Sequence, residues 1–599
     1  MKMTSPIHYR IVPASPEAHL FHVTLTIARP DPQGQQLTLP AWIPGSYMIR
    51  EFARNIVRIS ASRKGAKVAL RKQGKDTWQA AAGSGTLVVE YEVYAWDLSV
   101  RAAHLDQSHG FFNGTSVFLS VIGQEGLPHE VEILPPAGRF YAKWRVATAL
   151  PRARGTLLYG FGLYRAASYD ELIDHPVEMG TFSLATFRAC GVPHDIVITG
   201  RHDCDLARLA ADLKKICEYQ IRFFHGQRAK AADVPYPRYV FLTMALGEGN
   251  YGGLEHRAST ALICGRNDLP HAGMSETTES YRTFLGLASH EYFHTWNVKR
   301  IKPAAFTPYL LTRENHTSLL WAFEGFTSYY DDLALVRTGL ISVDEYLGMI
   351  ARTAQSVLRG AGRKKQSVAE SSFDAWTKYY RQDENAPNSI VSYYTKGALV
   401  GLCLDLLLRR ETAGRKSLDD VMRMLWRDFG ARGVGVPEDG VEQAAYRVGG
   451  AAAKRALGAF FRQAVYGTGD LPLRHSLAAA GVTLDMDAGT AASLGARTTA
   501  APEGVKLTHV LDGGGAQQAG LSAGDIVIAV DGLKAGTAMI EKLLARKRKG
   551  AKVTVFAFRR DELIERDVVL TPAELTVSAA ADPRASAAAR RLRRAWLGR

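Results

Sequence analysis

Residues 287–303, LASHEYFHTWNVKRIKP, decide how this chain is read. They contain His290, Glu291 and His294 in the order His-Glu-x-x-His. The apolar periodicity of 279–298, ESYRTFLGLASHEYFHTWNV, predicts a helix. Residues four apart on a helix share one face, one above the other. His290 and His294 can therefore aim two imidazoles at one metal ion. Glu291 stands a helical step aside, where it can take a proton from water instead of holding the ion. By composition alone such a string arises in roughly a few per cent of chains this long, so the reading needs further support.

A catalytic zinc needs a third protein ligand and one open position. WAFEGFTSYYDD (321–332), on the next predicted helix, offers Glu324. Trp321, Phe323, Phe326 and Tyr329 surround it in sequence, and a carboxylate withdrawn from water in that company needs a cation as partner. YGGLEH (251–256), read as a loop opening into a strand, adds Gly252, Gly253 and Glu255. Glycines let a substrate backbone come close, and Glu255 can pair with a free α-ammonium. SYYTKGALVG (392–401) begins a helix with Tyr393 and Tyr394, and a tyrosine hydroxyl beside a metal can donate to a developing oxyanion. Each of the last two stretches, taken alone, is ordinary packing or turn chemistry.

The chain has 599 residues, too many for one core, and the length suggests roughly three to four domains. With 46% hydrophobic and 22% charged residues it reads as globular, neither fibrous nor disordered. MKMTSPIHYRIVPASPEAHLF has no apolar core of signal-peptide length, and no run of about 18 apolar residues occurs. No membrane association is expected, and the expected compartment is the cytoplasm. Cys190, Cys204, Cys217, Cys264 and Cys403 are scattered and odd in number, so they read as reduced thiols. The net charge of +15 gathers largely in ARKRKGAK (545–552) and RRLRRAWLGR (590–599). Charge of this kind reports on solubility and weak association, so nucleic acid is set aside as a partner. Oligomeric state cannot be read.

Along the chain, residues 1–165 read as an N-terminal β domain of short alternating runs such as FHVTLTIARP and TLVVEYEVYAW. LPAWIPGSYMIREFARN (39–55) interrupts them and reads as a structural turn. A catalytic domain follows at 166–340, then helices with three- and four-residue apolar spacing at 341–478. Strands and turns return at 479–575. The basic tail 576–599 is expected to be mobile or a frayed helix.

With these pieces in order the sequence resembles the M61 family of zinc peptidases, the glycyl aminopeptidase family, and more distantly the M1 aminopeptidases. LPAWIPGSYMIREFARN, SYDELIDHPVEMG (168–180), GGLEHR and HEYFHTWNVKRIKP carry the likeness, which spans nearly the whole chain. The resemblance implies an α+β multidomain fold with a thermolysin-like zinc peptidase domain. It implies one Zn2+ per chain held by His290, His294 and Glu324, with Glu291 as general base. Gly252, Gly253 and Glu255 match part of the M1 exopeptidase motif, which implies that Glu255 recognises the substrate N-terminus. Tyr394 matches a Tyr-x-Lys-Gly pattern with Lys396 and Gly397, and would stabilise the tetrahedral intermediate. Three departures stand out. His256 replaces an asparagine. The gap between His294 and Glu324 is 29 residues. Ser328 takes the place of an orienting aspartate, a role left open to Asp331 or Asp332.

AQQAGLSAGDIVIAVDG (516–532) resembles the bacterial PDZ signature, and Ser493, Leu494, Gly495 and Ala496 form the candidate carboxylate-binding loop. A PDZ domain binds an extended peptide along a sheet edge. The expectation is thus a zinc aminopeptidase that takes small N-terminal residues from peptide substrates, with a possible peptide or protein ligand on the PDZ domain. Two rivals are carried forward: an endopeptidase with the same metal chemistry, and a PDZ-based peptide-binding protein with a vestigial peptidase fold.

Overall fold

The computed structural model describes residues 5–488 and 491–598. The chain divides into two compact units. The first holds the residues up to 315 with 330–341 and 425–436, and the second holds 316–329, 342–424 and the residues from 437 onward.

The first unit begins with β structure whose sequence alternates at period two. Ile7–Ser15, Leu20–Ile27 and Leu87–Tyr94 bury every second side chain, among them Tyr9, Ile11, Val23, Leu25, Val89 and Tyr91. They are consecutive strands of a seven-stranded sheet, antiparallel to one another, with Ile7–Ser15 parallel to His129–Ile133. A four-stranded sheet runs in the order Arg145–Ala147, Val177–Gly180, His109–Phe112, Ala103–Leu105.

A five-stranded sheet follows, ordered Ser183–Ala189, Val192–Thr199, Tyr239–Leu246, Ser259–Gly265, Tyr251–Glu255. Its three inner strands are parallel and buried along nearly their whole length, as strands covered on both faces are. Helix Leu206–His225 makes the crossover, capped by the Asp205 carboxylate on the amides of Ala207 and Arg208. Helix Glu279–Phe293 starts at the Thr278 hydroxyl cap and packs on the edge strand Tyr251–Glu255. Residues 251–255 are therefore a strand in an antiparallel hairpin, not the loop that two glycines suggest. Ladder pairing of Gly253 with Leu262 and of Glu255 with Thr260 overrides the weak strand preference of glycine.

The second unit is helical up to residue 479. Val343–Arg359 and Val368–Phe373 each open with a capping box, Ser342 with Glu345 and Ser367 with Glu370. Thr395–Glu411 is buried along most of its length, and Gly440–Ala464 kinks at Gly450. A six-stranded sheet then includes the path Ala496–Ala501, Gly504–Val510, Ile526–Val530, Lys552–Arg559, Glu562–Val569 over a core of Val505, Leu507, Val527, Val553 and Val555. Thr576–Ala581 returns to pair with Val482–Asp487.

The basic tail is not frayed. Ala587–Leu597 is a helix begun by the Ser586 cap, and Trp596 is fully buried with its indole N–H donating to the Tyr329 hydroxyl at 2.8 Å. One large aromatic anchors a segment whose Ala/Arg composition looks loose. All five cysteines are free thiols, and no described helix is long and apolar enough to cross a membrane.

Candidate metal centre

Helix Glu279–Phe293 delivers His290 and Glu291 on its last turn, and His294 caps it. The imidazole centroids of His290 and His294 stand 4.6 Å apart, nearly perpendicular. Each ring has its Nδ1 engaged. His290 Nδ1 faces Asp331 Oδ2 at 2.9 Å, and His294 Nδ1 faces the Asn297 carbonyl at 2.6 Å. Both acceptors require a proton on Nδ1, so the neutral rings carry their lone pairs on Nε2. That is the tautomer a metal ligand needs, and carboxylate or carbonyl partners of this kind fix ring orientation. Of the two aspartates open on sequence grounds, Asp331 does this for His290.

Glu255, Glu291 and His294 converge: one ligand atom from each lies within 4.8 Å of the others. All three are buried. Two carboxylates this close in a site shielded from water call for positive charge between them. Glu255 Oε1 is buried and has no hydrogen-bond partner. Gly253 makes the convergence possible, since a Cβ there would lie 2.0 Å from Glu291 Oε1. At Gly252 a Cβ would make only an ordinary contact, 3.8 Å from Arg101 Nη1. Gly45, at φ 98°, brings its main chain so close to Glu255 that a Cβ would meet the carboxylate at 2.5 Å. The segment 39–55, expected to be only a turn, thus lies against a residue of the site.

A buried ion network holds the chain just beyond Glu255. Asp174 accepts from Lys299 Nζ at 2.6 Å and from the Arg257 amide at 3.0 Å. Burial opposes ionisation of Asp174, but Lys299 and Arg257 hold its carboxyl well below the usual range. Arg300 donates to the carbonyls of Arg257, Thr295 and Pro235. Sequence reasoning missed these residues. The signal was the charged run Lys299-Arg300 directly after the histidines, next to a conspicuously apolar helix.

In the second unit Glu324 is buried at 2% exposure, between helices Leu320–Phe323 and Gly325–Thr338. Its backbone is right-handed helical, and its carbonyl accepts from the Ser328 amide at 2.8 Å, so the helix runs on through it. Gly325 and Gly397 touch backbone to backbone, which brings the start of helix Thr395–Glu411 against Glu324. Tyr393 and Tyr394 stack there with Tyr379 tilted against both, and the Tyr394 hydroxyl lies 3.2 Å from that of Tyr380. Burial, then the charges of Tyr380 and Glu324, push the Tyr393 phenol far up. Tyr394 is only half-buried, and it caps the helix rather than lying within it.

Of the candidate peptide-binding loop, Ser493 pairs with Thr571 and its hydroxyl accepts from the Gly495 amide, Leu494 is buried, and Ala496 begins an edge strand of the six-stranded sheet. Gly495, at φ 72°, packs against Gly514.

Residues 8–181 match the Peptidase M61 N-terminal domain, and residues 283–400 match the M61 glycyl aminopeptidase domain. An aminopeptidase N family protein from Idiomarina loihiensis is 41% identical, with a TM-score of 0.92 over 99% of this chain and 100% of that one. An M1 zinc metallopeptidase from Deinococcus radiodurans is 16% identical, with a TM-score of 0.47 over 78% of this chain and 95% of that one. No curated protein matches.

Proposed function

The chain belongs to the M61 glycyl aminopeptidase family and is a zinc metallopeptidase, and from that premise we propose that it releases small N-terminal residues, glycine or alanine, from peptides. The observation that carries the exopeptidase reading is Glu255, a buried carboxylate with an oxygen lacking any partner, beside Glu291 and His294. A free α-ammonium supplies the missing charge and donors. The preference for small residues rests on the family's description alone.

The proposed zinc ligands are His290, His294 and Glu324, in a thermolysin-like arrangement. Helix geometry supports Glu324. It stands seven residues before Asp331, two turns along one helical run and on the same side. The run that orients His290 thus also carries the third carboxylate. Two imidazoles and a carboxylate suit zinc and leave a fourth position for substrate.

When bound, zinc would polarise the scissile carbonyl and make water at the site more acidic. Glu255 holds the substrate amine and thereby sets the first peptide bond at the centre. Glu291 takes a proton from the attacking water and passes it to the leaving nitrogen. Tyr394, the less buried residue of the pair, donates to the oxyanion that develops on the carbonyl. The C-terminal sheet is read as a PDZ domain that takes an extended peptide along its edge strand Ala496–Ala501.

The test pairs an alanyl-peptide with its N-acetylated twin, using wild type and Glu255→Ala after zinc content is confirmed. Cleavage of the free peptide only, with that preference lost in Glu255→Ala, supports the aminopeptidase. Equal cleavage of both by wild type means an endopeptidase. No cleavage of either by zinc-loaded protein favours a binding protein.

A further inference from the structure

We propose that His104, Asp106 and His109 bind a second zinc ion, which clips the turn joining strands Ala103–Leu105 and His109–Phe112. The pattern is His-x-Asp-x-x-His, in the first unit, with none of the residues discussed above. One ligand atom from each of the three lies within 4.8 Å of the others.

Hydrogen bonding alone accounts for Asp106 but not for the histidines. Asp106 Oδ1 accepts from the Ser108 amide and hydroxyl and from the His109 amide, an ordinary turn. Its Oδ2 faces His104 Nε2 at 3.2 Å. His104 is only 4% exposed, yet its Nδ1 is buried with no partner. His109, equally buried, stacks on it with centroids 4.9 Å apart. Two imidazoles packed face to face in a dry site gain little from each other and leave polar atoms to satisfy.

The charge balance asks for a cation. His109 Nδ1 meets Glu178 Oε1 at 3.2 Å, and Glu178 also accepts from the Thr199 hydroxyl. Neither Asp106 nor Glu178 has a lysine or arginine ion-pair partner among the described residues. Two carboxylates, mostly withdrawn from water, have only the two imidazoles beside them as a source of positive charge. A divalent ion supplies it, and the Glu178–His109 contact is the carboxylate–histidine pairing that steadies metal ligands.

Donors of a tetrahedral zinc lie roughly 3.3 Å apart. Asp106 Oδ2 and His104 Nε2, 3.2 Å apart, already meet that spacing, and the third ligand atom lies within 4.8 Å of both. Asp106, on the turn and partly exposed, is the member that can move. The ion would be structural. Glu178 and Thr199 belong to the small sheet and the five-stranded sheet, so the clip would tie the two together.

The test is zinc per chain by elemental analysis of the full-length protein, loaded with zinc and desalted. Wild type is expected to hold two, His290→Ala one, His109→Ala one, and the double variant none. If His109→Ala holds as much zinc as wild type, or the double variant as much as His290→Ala, the proposal is overturned. A wild type with one zinc, lost in His109→Ala and kept in His290→Ala, supports this site and counts against the peptidase site instead. Should His109→Ala fail to fold, cobalt titration of His290→Ala decides the matter. Visible d–d bands that Asp106→Asn abolishes support the site, and their absence from His290→Ala overturns it.

Discussion

Gly253→Ala is the sharpest test of how the fold places Glu291, the proposed general base. A Cβ at position 253 would lie 2.0 Å from Glu291 Oε1 and 2.4 Å from its Cδ, where real contacts stay beyond 3.0 Å. Either the carboxylate or the edge strand must give by about 1 Å. The strand is pinned by its ladder to Ser259–Gly265, so the flexible glutamate yields. A misplacement of about 1 Å at a reacting group costs roughly 100-fold in rate, or about 2.7 kcal/mol of transition-state stabilisation. The histidines are untouched, and alanine suits a strand better than glycine by roughly 0.5–1 kcal/mol, so neither zinc content nor melting temperature should fall. The assay is kcat and KM on a free alanyl-peptide, with zinc content and Tm in parallel. The expected result is a fall in kcat of about 100-fold at nearly constant KM. A kcat within about threefold of wild type, at full zinc loading, would refute the reasoning.

Two other expectations follow from named contacts. Asp331→Asn should weaken zinc binding about 10- to 100-fold, because Asp331 orients His290 through Nδ1; an unchanged dissociation constant by chelator competition would remove it from that role. Lys396 is buried with no hydrogen-bond partner at Nζ, and burial, partly opposed by Asp470, lowers its pKa from 10.5 to about 8. The folded pKa is below the unfolded one, so the penalty is complete below about pH 8 and is relieved as pH rises toward 10.5. Lys396→Met should therefore stabilise the protein at pH 7 by up to about 3 kcal/mol, with the gain shrinking by pH 10. Denaturant unfolding at both pH values measures it, and a gain independent of pH would contradict the cause given.

The sequence by itself determined what repeats along the chain. Period-two alternation gave the strands Leu20–Ile27 and Leu87–Tyr94, and helical spacing placed His290 and His294 on one face, because both patterns are set by backbone geometry within a few residues. The roles proposed for Glu291 and Glu324 were read in the same way, from residue type and local spacing. Only the tertiary structure decided which aspartate serves His290, since Asp331 and Asp332 are adjacent and their helix phase against another element settles it. It turned YGGLE from a loop into an edge strand, through pairing with a segment whose register no local pattern encodes. It brought Gly45 against Glu255 across 210 positions of sequence, and Trp596 against Tyr329 across 267, contacts that exist because side chains distant in the chain share one core. Local pattern follows from covalent geometry; partners, burial and charge balance follow from packing, which no short window of sequence contains.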